Sequence, residues 1–416
     1  MKHTKYFNIF GDTMNYPKVA IIILNYNSWK DTIECLESVL RNDYPNYQVI
    51  VIDNGSPNNS MEYIKAWAEG RQEVLTPEPS HPLYHFSHPP VKKPISYIYY
   101  TREEAEKGGN FELEEKLTRE WQKQRKSNNK KLIPTSPYPL IFIQTGENLG
   151  FAGGNNVGMK YALKRDDFKY VWLLNNDTVI DQNTLTEMIK LAESNEEIGM
   201  VGAKLLFYEN PRIIQSLGVK SNSKVKHKGT HIAMFEMDNL SWNKNIEINY
   251  FILGASLLVK KTILKKIGLL DEKYFMMTEE EDWCIRALSA GYKLFSCGKA
   301  KVWHKGSIAS PSRTVKKTFL GKKSIRCLWE NFLISGYYSV RNRIYFIKKN
   351  FPESFYKYCL IQLPCAVSRI ILGILIYDDH KLDRIKLIFK ALWDGLREKM
   401  GKTIDPLEWR NNLNKK

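Results

Sequence analysis

The sequence lacks the features that mark secreted or disulfide-stabilised proteins. Its 416 residues contain only six cysteines, and none has the paired spacing of a disulfide framework or a zinc site. Residues 1–17 contain no apolar run of the kind that forms a secretory signal. Hydrophobic residues make up 43% of the chain, enough for at least one large core. We therefore expect a globular protein with reduced thiols that stays in the cytoplasm.

Acidic residues are almost missing between Lys299 and Asn350. This stretch has thirteen Lys or Arg and one acid, Glu330, so it carries +12 of the net charge of +17. Such asymmetry favours an anionic partner, either nucleic acid or the anionic face of a membrane, although a solvated surface is the alternative. Because no recognised nucleic-acid-binding motif accompanies the charge, we expect the membrane and no nucleic acid.

Buried strands that end in polar residues recur along the chain. Lys18–Leu24, Tyr47–Ile52, Leu140–Gln144 and the strand beginning at Tyr170 are apolar, and helical patterns follow them. This order predicts a parallel, right-handed βαβ sheet, which binds ligands at the carboxyl ends of its strands. The polar residues at those ends are Asn25, Tyr26 and Asn27; Asp53, Asn54 and Gly55; and Asn175, Asn176 and Asp177.

Residues 71–139 interrupt this rhythm with prolines, an aromatic patch and a charged helical stretch, and we interpret them as an insertion at the edge of the sheet. After the third strand comes a glycine-rich loop that opens a helix. Such a loop offers backbone N–H groups to a phosphate, although a tight strand-to-helix turn is an equally good interpretation. The residues concerned are Asn148, Gly150, Phe151, Gly153 and Asn155.

Four consecutive acids, Glu279 to Asp282, open a later helix. Acids suit a helix N-terminus, so simple capping is one explanation. Four in a row beside aromatic residues exceed what a cap requires, so this run is a candidate source of a catalytic carboxylate. His304 follows a short predicted strand, Lys301–Trp303.

Taken together and in this order, the motifs resemble those of the family 2 glycosyltransferases, in particular the rhamnosyltransferase-like branch. The resemblance covers about Lys18 to Ser307. It implies a GT-A type fold, with one mostly parallel α/β sheet that binds a nucleotide-diphosphate sugar, and transfer to an acceptor hydroxyl with inversion.

The resemblance also implies roles for individual residues. Asp53 would accept a hydrogen bond from a pyrimidine base, which suits UDP or dTDP donors, and Asn25 to Asn27 would line the same pocket. Asp177 would hold Mn²⁺ or Mg²⁺ against the diphosphate, with His304 joining it. The sequence departs from the family's Asp-x-Asp element because Asn175 replaces the first acid. Glu280 would be the general base, with Asp282 beside it in the catalytic group.

The C-terminal third lies outside the resemblance. Leu360–Tyr377 is strongly apolar but interrupted by Pro364 and Arg369, and it is marginally short for a bilayer span, so a buried or interfacial helix is expected. With an amphipathic helix over 382–400, we predict a helical membrane-docking region over 311–416, after a tail (1–17) and a catalytic domain (18–310). A packed helical cap on the catalytic domain is the alternative.

These features predict an inverting glycosyltransferase that builds cell-surface polysaccharide at the inner face of the membrane. The donor would be a dTDP- or UDP-sugar, such as dTDP-rhamnose, and the acceptor a saccharide or a lipid-linked saccharide. One alternative is a sugar nucleotidyltransferase, which is disfavoured because the N-terminus has no basic glycine-rich motif for a triphosphate. Another is a basic protein that binds nucleic acid or membranes without catalysis.

Overall fold

The apolar strands pair into one eleven-stranded, mostly parallel sheet with helices on both faces. The computed structural model describes residues 16–127, 137–221, 229–306, 314–319, 322–327, 332–377 and 381–405. The strands are β1 (Lys18–Asn25), β2 (Tyr47–Asp53), β3 (Tyr97–Thr101), β4 (Leu140–Gln144), β5 (Phe168–Asn175), β6 (Thr178–Ile180), β7 (Ile198–Phe207), β8 (Ile214–Ser216), β9 (Val219–Ser221), β10 (Gly229–His231), β11 (Asn245–Ile248), β12 (Ser256–Lys260), β13 (Lys293–His304), β14 (Thr314–Phe319) and β15 (Lys322–Cys327).

The helices connect and cover these strands. They are α1 (Trp29–Val39), α2 (Ser60–Ala68), α3 (Arg102–Glu106), α4 (Phe111–Ser127), α5 (Gly150–Lys164), α6 (Thr184–Ser194), α7 (Lys261–Ile267), α8 (Glu279–Ser289), α9 (Phe332–Asn350), α10 (Phe355–Lys357), α11 (Leu363–Tyr377) and α12 (Lys381–Leu396). A π-helical turn, Tyr358–Gln362, joins α10 to α11.

The strand order is β11-β13-β7-β12-β5-β1-β2-β4-β3, with β6 paired to β13 and β8 to β7. β1 runs parallel to both β2 and β5, and β2 runs parallel to β4. β12 runs antiparallel to its neighbours β5 and β7. The prediction of a mostly parallel α/β sheet is therefore confirmed, and it is a mixed sheet only where β6, β8, β11 and β12 join.

Both faces of the sheet are covered, which explains why the strands read as continuous apolar runs. Along β1, Ile21 and Ile23 face one apolar cluster, while Ala20 and Ile22 face the other. All four are fully buried, and each buried isoleucine contributes roughly 1.5–3 kcal/mol relative to an exposed one. This rigid sheet fixes the position of the polar residues at its strand ends.

Two strands differ from the sequence prediction. The apolar sequence of residues 251–259 is typical of a single buried strand, but β12 begins only at Ser256, and Gly254 before it lies beside Phe151 of the glycine-rich loop and Glu280 of the acidic helix. The strand before His304 is much longer than predicted, since β13 spans Lys293–His304 and pairs with β7 on both sides of an irregularity between Cys297 and Lys301.

The insertion supplies the edge of the sheet through β3 and then the long helix α4. Its anchor is Glu114, a buried carboxylate of α4. Tyr100 and Tyr138 donate hydrogen bonds to its oxygens at 2.7 and 2.9 Å, and Arg165 forms an ion pair with it at 2.6 Å. This paired charge ties the insertion to the body of the protein.

Residues 332–405 share an apolar core with the segment before the acidic helix. Tyr337 and Tyr338 of α9 pack in one cluster with Tyr274 and Phe275. The contacts of α9 are those expected of a helical cap on the sheet, and the domain boundary at residue 310 stays a prediction.

Several cations of the basic stretch, among its described side chains in α9 and near the end of β13, are paired with acids of this chain, and an anionic partner for the stretch stays a prediction. Arg343, Lys348 and Lys349 form ion pairs with acids elsewhere in the chain, and Lys301 and Lys305 do the same. Arg341 is fully buried and donates to backbone carbonyls. Local charge in the sequence was balanced by acids that the fold brings from a distance.

Candidate active site

The polar residues predicted at the strand ends lie together in the structure. Asn25 is opposite Asp53 across the β1 and β2 pair, and Leu24 is opposite Asn175 across β1 and β5. Because the three strands are parallel neighbours, their carboxyl ends form one edge of the sheet. The candidate site is built on this edge.

Asp53 is the centre of a hydrogen-bonded group at the end of β2. Asn25 Nδ2 donates to its Oδ1 at 2.7 Å, and Gln144 Nε2 at the end of β4 donates to its Oδ2 at 2.8 Å. Ser56 also donates to both oxygens of Asp53, through its Oγ and its backbone N–H. Because an ionised carboxylate has about four acceptor positions and Asp53 is only 1% exposed, a ligand N–H would have to replace one of these donors. Gln144 was not predicted, although its place at a strand end is a signal that could have identified it.

Beside this group, Asn27 has an unusual backbone conformation and a buried side-chain oxygen that accepts no hydrogen bond from the described residues. Its φ is 60°, in the left-handed region that asparagine tolerates better than most residues. Its backbone N–H donates to Ser56 Oγ at 2.9 Å. Its side-chain Oδ1 is buried and has no hydrogen-bond partner among the described residues. A buried acceptor without a donor is costly, so this atom is suited to a ligand's N–H or O–H.

The glycine-rich loop does not present its first free N–H groups to a ligand. The N–H groups of Phe151 and Ala152 donate to the carbonyl oxygen of Phe275, at 2.7 and 3.3 Å. Asn148 Oδ1 accepts from the N–H of Gly150 at 2.9 Å. The start of α5 is therefore satisfied by protein groups, and the strand-to-helix turn is the interpretation that the hydrogen bonds favour.

The glycines and asparagine of this loop have packing roles. A methyl group at Gly150, whose φ is +74°, would lie 2.2 Å from the Phe275 oxygen, and one at Gly153 would lie 2.8 Å from Leu149. Asn54 Nδ2 donates to the Gly150 carbonyl at 3.0 Å, which joins the loop to the end of β2. Asn155 Nδ2 donates to the Phe151 carbonyl within α5 at 2.9 Å.

Asp177 and His304 form a second polar group, where β5 and β13 end. His304 Nε2 lies 3.3 Å from Asp177 Oδ1, and Asn175 Nδ2 lies 3.5 Å from the same ring nitrogen. Burial alone would raise the pKa of Asp177, but His304 and a backbone hydrogen bond hold this pKa below its usual value. Asp177 is therefore an anion at neutral pH, and its side chain is 30% exposed.

These two residues suit a divalent cation as a partial ligand set. His304 Nδ1 lies 2.9 Å from Gln215 Oε1, and with Nδ1 as the donor a cation beside Asp177 would take the place of the proton on Nε2, as in many metal-binding histidines. Among the described residues no group of three or more His, Cys, Asp or Glu could hold a metal. Mg²⁺ commonly takes one or two protein ligands and completes its shell with phosphate and water, so the pair fits that role.

Asn176 turns away from this pair. Its Nδ2 donates to Thr32 Oγ1 at 3.0 Å, on the first turns of α1. Lys305, which the sequence interpretation missed, also binds α1: its Nζ is 2.5 Å from both Asp31 and Glu34, while its backbone N–H donates to the Asp177 carbonyl at 2.9 Å. Lys305 thus fixes the end of β13, and with it His304, against α1.

The four acids at the start of α8 differ sharply in their surroundings. Glu281 receives a pair of hydrogen bonds from Arg343, at 2.6 and 2.8 Å, and another from Tyr250. Asp282 is fully buried and is bound by Arg286, Lys349 and Asn350. The assignment of Asp282 to the catalytic group is wrong on this geometry, because a carboxylate neutralised by two cations and sealed from solvent has a structural role.

Within the part of the chain that the structure describes, neither Glu279 nor Glu280 forms an ion pair. Glu279 is buried, and its Oε2 has no hydrogen-bond partner within the described ranges; burial and the neighbouring Glu280 raise its pKa well above the usual value. Burial also raises the pKa of Glu280 to about 7, with a smaller contribution from Glu281. A carboxylate that titrates near neutral pH is the best-matched proton acceptor of the four.

Gly254 lies between the strand-end groups and the acidic helix. A methyl group there would lie 3.5 Å from the Phe151 ring and 3.6 Å from Glu280 Cβ, in ordinary contact with both. The next residue, Ala255, accepts a hydrogen bond from the N–H of Asn175 at 3.0 Å. This short segment therefore connects the Asp177 and His304 side of the site to Glu280.

Comparisons with known proteins agree with this architecture. Residues 20–78 match the family model described as glycosyl transferase family 2, and residues 136–320 match glycosyltransferase like family 2. The two matches leave most of the insertion and most of the C-terminal helices outside.

Two curated relatives carry related descriptions. A low-salt glycan biosynthesis hexosyltransferase, Agl10 of Haloferax volcanii, is 25% identical over 160 residues, covering 38% of this chain and 49% of the relative. The dTDP-rhamnosyl transferase RfbF of Shigella flexneri is 20% identical over 261 residues, covering 61% and 78%. The chain thus spans about half the length of the first relative.

Among solved structures, GalNAc-T7 with UDP, GalNAc and Mn²⁺ has a TM-score of 0.45 and 12% identity, over 92% of this chain and 56% of that one. The two family matches contain the strand ends, the glycine-rich loop, the acidic run and His304. The chain belongs to the family 2 glycosyltransferases.

Proposed function

We propose that this protein is an inverting glycosyltransferase that moves a sugar from a nucleotide diphosphate to an acceptor hydroxyl. The proposal is carried by two distinct groups that the Gly254 segment connects. One is the Asp177 and His304 pair, and the other is the Glu280 carboxylate, whose pKa is raised. Single displacement needs these two parts on opposite faces of the sugar. Family membership favours this activity over a sugar nucleotidyltransferase.

The donor side consists of the ends of β1 and β2. Asp53 and the unpartnered Oδ1 of Asn27 supply acceptors for the N–H and O–H groups of a pyrimidine nucleotide. Tyr26, Asn54 and Gly55 lie on the same two strand ends. A dTDP-sugar, with dTDP-rhamnose as the first choice, is supported by the description of the Shigella relative, and a UDP-sugar is the second choice.

A divalent cation would bind at Asp177 and His304. When bound, Mn²⁺ or Mg²⁺ would neutralise charge on the departing diphosphate. Asn175 supplies a neutral amide at this point, so the protein contributes one negative charge to the cation. We therefore expect weaker metal binding than two carboxylates would give.

Glu280 would accept the proton of the acceptor hydroxyl as its oxygen attacks the anomeric carbon. The bond from that carbon to the diphosphate oxygen breaks as the new glycosidic bond forms, which inverts the anomeric centre. The proton passes to Glu280, whose pKa near 7 permits both its uptake and its later release to water.

The decisive experiment is a donor panel. The parent protein and Asp53→Ala are tested by thermal shift against UDP, dTDP and their sugars, with and without Mn²⁺, and NMR of the product reports the anomeric configuration. We expect stabilisation by one pyrimidine class in the parent and its loss in Asp53→Ala, with an inverted product. If Asp53→Ala binds the nucleotide as well as the parent does, the nucleotide pocket does not include Asp53. A product that retains the anomeric configuration of the donor would contradict single displacement.

The acceptor side is proposed to lie at an anionic membrane surface in the cytoplasm. The helical segment Pro352–Ile376 has 25 residues, and 17% of its most apolar part is buried, so the argument that this run is too short to span does not hold for the folded chain. We favour docking at the surface over a span because α12 continues the apolar surface while carrying exposed cations. Its exposed apolar residues are Leu382, Phe389, Trp393 and Leu396.

These four residues fall on one stripe of α12, opposite the buried Leu387, Ile388 and Ala391. Lys386 is exposed beside them, and the Arg397 guanidinium lies 3.8 Å from the Trp393 ring centroid. Apolar and aromatic residues interleaved with cations are typical of interfacial helices, and anionic lipid headgroups are their complement. A lipid-linked saccharide would reach the site from such a surface.

Vesicle co-sedimentation tests the docking. Phe389→Ser with Trp393→Ser should reduce binding to anionic vesicles, and salt should reduce parent binding in part, because screening affects only the electrostatic share. Leu240→Ser, at an 86% exposed leucine outside the C-terminal helices, is the matched control. Parent-like binding by the double variant would rule out α12 as the docking face, and resistance to alkaline carbonate extraction would indicate a span instead.

A further inference from the structure

The segment that carries Glu280 has an unfavourable backbone conformation. Three non-glycine residues before α8 have positive φ: Phe275 at 63°, Met277 at 69° and Thr278 at 81°. Phe275 has ψ of −60°, and the N–H of Met276 donates to the Tyr274 carbonyl at 2.8 Å, which together describe a γ-turn of the rare, strained hand. Non-glycine residues rarely adopt such backbone angles, so the surroundings must enforce the conformation.

Asn342 of α9 makes the contacts that enforce it. Its Nδ2 lies 3.0 Å from the Tyr274 carbonyl, 2.8 Å from that of Met276 and 2.7 Å from that of Met277. The residue is fully buried. An amide has two N–H donors, so Asn342 Nδ2 is shared among three carbonyls that converge only in this conformation.

Neighbouring residues fix Asn342 itself. Arg341 Nε and Nη2 donate to Asn342 Oδ1 at 2.9 and 2.8 Å, and Arg341 Nη2 also donates to the Tyr274 carbonyl at 3.0 Å. On the far side of α9, a methyl group at Gly395 of α12 would lie 2.9 Å from the Arg341 carbonyl, so the two helices are in close contact there. Asn342 therefore has one available orientation.

The held segment contacts both sides of the site. The Phe275 carbonyl, at the centre of the γ-turn, accepts from the first N–H groups of α5, beside the donor side. Four residues after Met276 the chain reaches Glu280, and Arg343 of α9 holds the next residue, Glu281. The geometry of α8 relative to α5 thus depends on a helix more than 50 residues later in the chain.

We infer that Asn342 is a positioning residue for the transfer step, which holds segment 274–278 so that the Glu280 carboxylate faces the acceptor. This inference rests on the proposed function. It assigns to the C-terminal region a part in the active site as well as in docking, and it predicts that transfer to a soluble acceptor also needs α9.

The test is steady-state kinetics of full-length Asn342→Ala with a soluble acceptor. We expect kcat to fall about 10- to 100-fold, because displacing a reacting group by about 1 Å costs that much, while the thermal shift produced by the nucleotide donor stays at its parent value. Asn342→Ser, which keeps one donor, should recover part of kcat, and it replaces the alanine variant if that fails to fold. Tyr337→Phe is the matched control, since it removes the contacts of an α9 hydroxyl to Asp394, Thr403 and Arg341 but none of the hydrogen bonds of Asn342.

A second readout separates positioning from general loss of stability. Glu280 is faced by Glu279 and Glu281 on its own helix and by Arg343 from α9, and burial sets its high pKa. Loosening the segment admits water, so the acid limb of kcat should move to lower pH in Asn342→Ala and not in Tyr337→Phe. Unchanged kcat, or losses of kcat and donor binding in step with the unfolded fraction, would overturn the inference. An inactive parent would instead contradict the proposed function.

Discussion

The two sides of the site are built in different ways. On the donor side, Asn25, Asp53 and Asn175 follow directly from neighbouring parallel strands, and their hydrogen-bond partners lie on the same sheet edge. On the base side, Glu280 follows a strained turn and depends on cations and amides from α9. The donor side is rigid because the sheet is rigid, whereas the base side is held by long-range polar contacts.

This difference teaches where each function can fail. A change at a strand end should affect one ligand contact and leave the rest of the site in place. A change around the base should alter geometry through several contacts at once, and effects there should be non-additive, because the residues form one network.

The largest loss of turnover is expected at Asp177 and His304, the two residues proposed to bind the cation. Asp177→Asn and His304→Ala should each lower turnover at limiting Mn²⁺ by about 100-fold, because each removes one of two protein ligands, and excess Mn²⁺ should recover part of the loss. Activity against metal concentration is the measurement, with EDTA-treated parent as the reference. Full parent activity in EDTA would remove the metal role and leave His304 to act on the diphosphate alone.

A larger side chain at Gly254 would fill the space between Phe151 and Glu280. Gly254→Leu should lower transfer by about 10-fold or more while the donor still binds, since the added side chain would stand between Phe151 and Glu280, where precise placement matters. Gly254→Ala is the control, because a methyl group makes only ordinary contacts there. Donor binding by thermal shift and transfer rate are compared for both. Equal transfer rates in the two variants would show that the acceptor takes another path.

The pH dependence of turnover should report the base. With a pKa of about 7, Glu280 is protonated and inactive at lower pH, so kcat should rise about tenfold per pH unit below 7 and level off above it. A pH profile measured at saturating donor checks this. An acid limb near pH 4.5, the ordinary pKa of glutamate, would contradict a base whose pKa is raised by burial.

The smallest expected effect concerns stability. The folded-state pKa of Glu280 is raised above its unfolded value, so the stability associated with its protonated form is present below the unfolded pKa and is lost as pH rises through about 7. Glu280→Gln should therefore be more stable than the parent at pH 8, by on the order of 1 kcal/mol, and no more stable at pH 4. Urea unfolding at both pH values measures this, and an equal difference at both would contradict it.

The sequence predicted the strands beneath the proposed donor side better than the surroundings of the acidic run, and the reason is physical. Apolar runs of strand length that end in Asn or Asp predict both the sheet and its ligand edge, and β1, β2, β4 and β5 lie where the pattern placed them. The glycine-rich loop was harder to interpret, because glycine serves close packing as readily as phosphate binding. A methyl group at Gly154 would lie 2.5 Å from Leu24, and one at Gly158 2.9 Å from Ile52.

The acidic run could not be resolved from the sequence because its four members look alike until their partners are known. Arg343 and Lys349, which neutralise Glu281 and Asp282, belong to the basic stretch for which the sequence suggested an anionic partner outside the chain. Ion pairs between residues that are distant in the sequence leave no pattern in the local sequence. The pairing of these cations with the acidic run could therefore not be predicted. The same is true of Asn342, an unremarkable residue within a helix.

Transfer by Glu280→Gln tests the central claim most directly, because glutamine keeps the shape of glutamate but cannot accept the proton. Rapid-quench single turnover is measured with donor and acceptor saturating, beside Glu280→Asp, which keeps a carboxylate one methylene shorter, and donor binding is measured by thermal shift. We predict that Glu280→Gln binds the donor as the parent does and transfers about 100-fold more slowly or worse, with Glu280→Asp between the two. Parent-like transfer by Glu280→Gln would show that Glu280 is not the base.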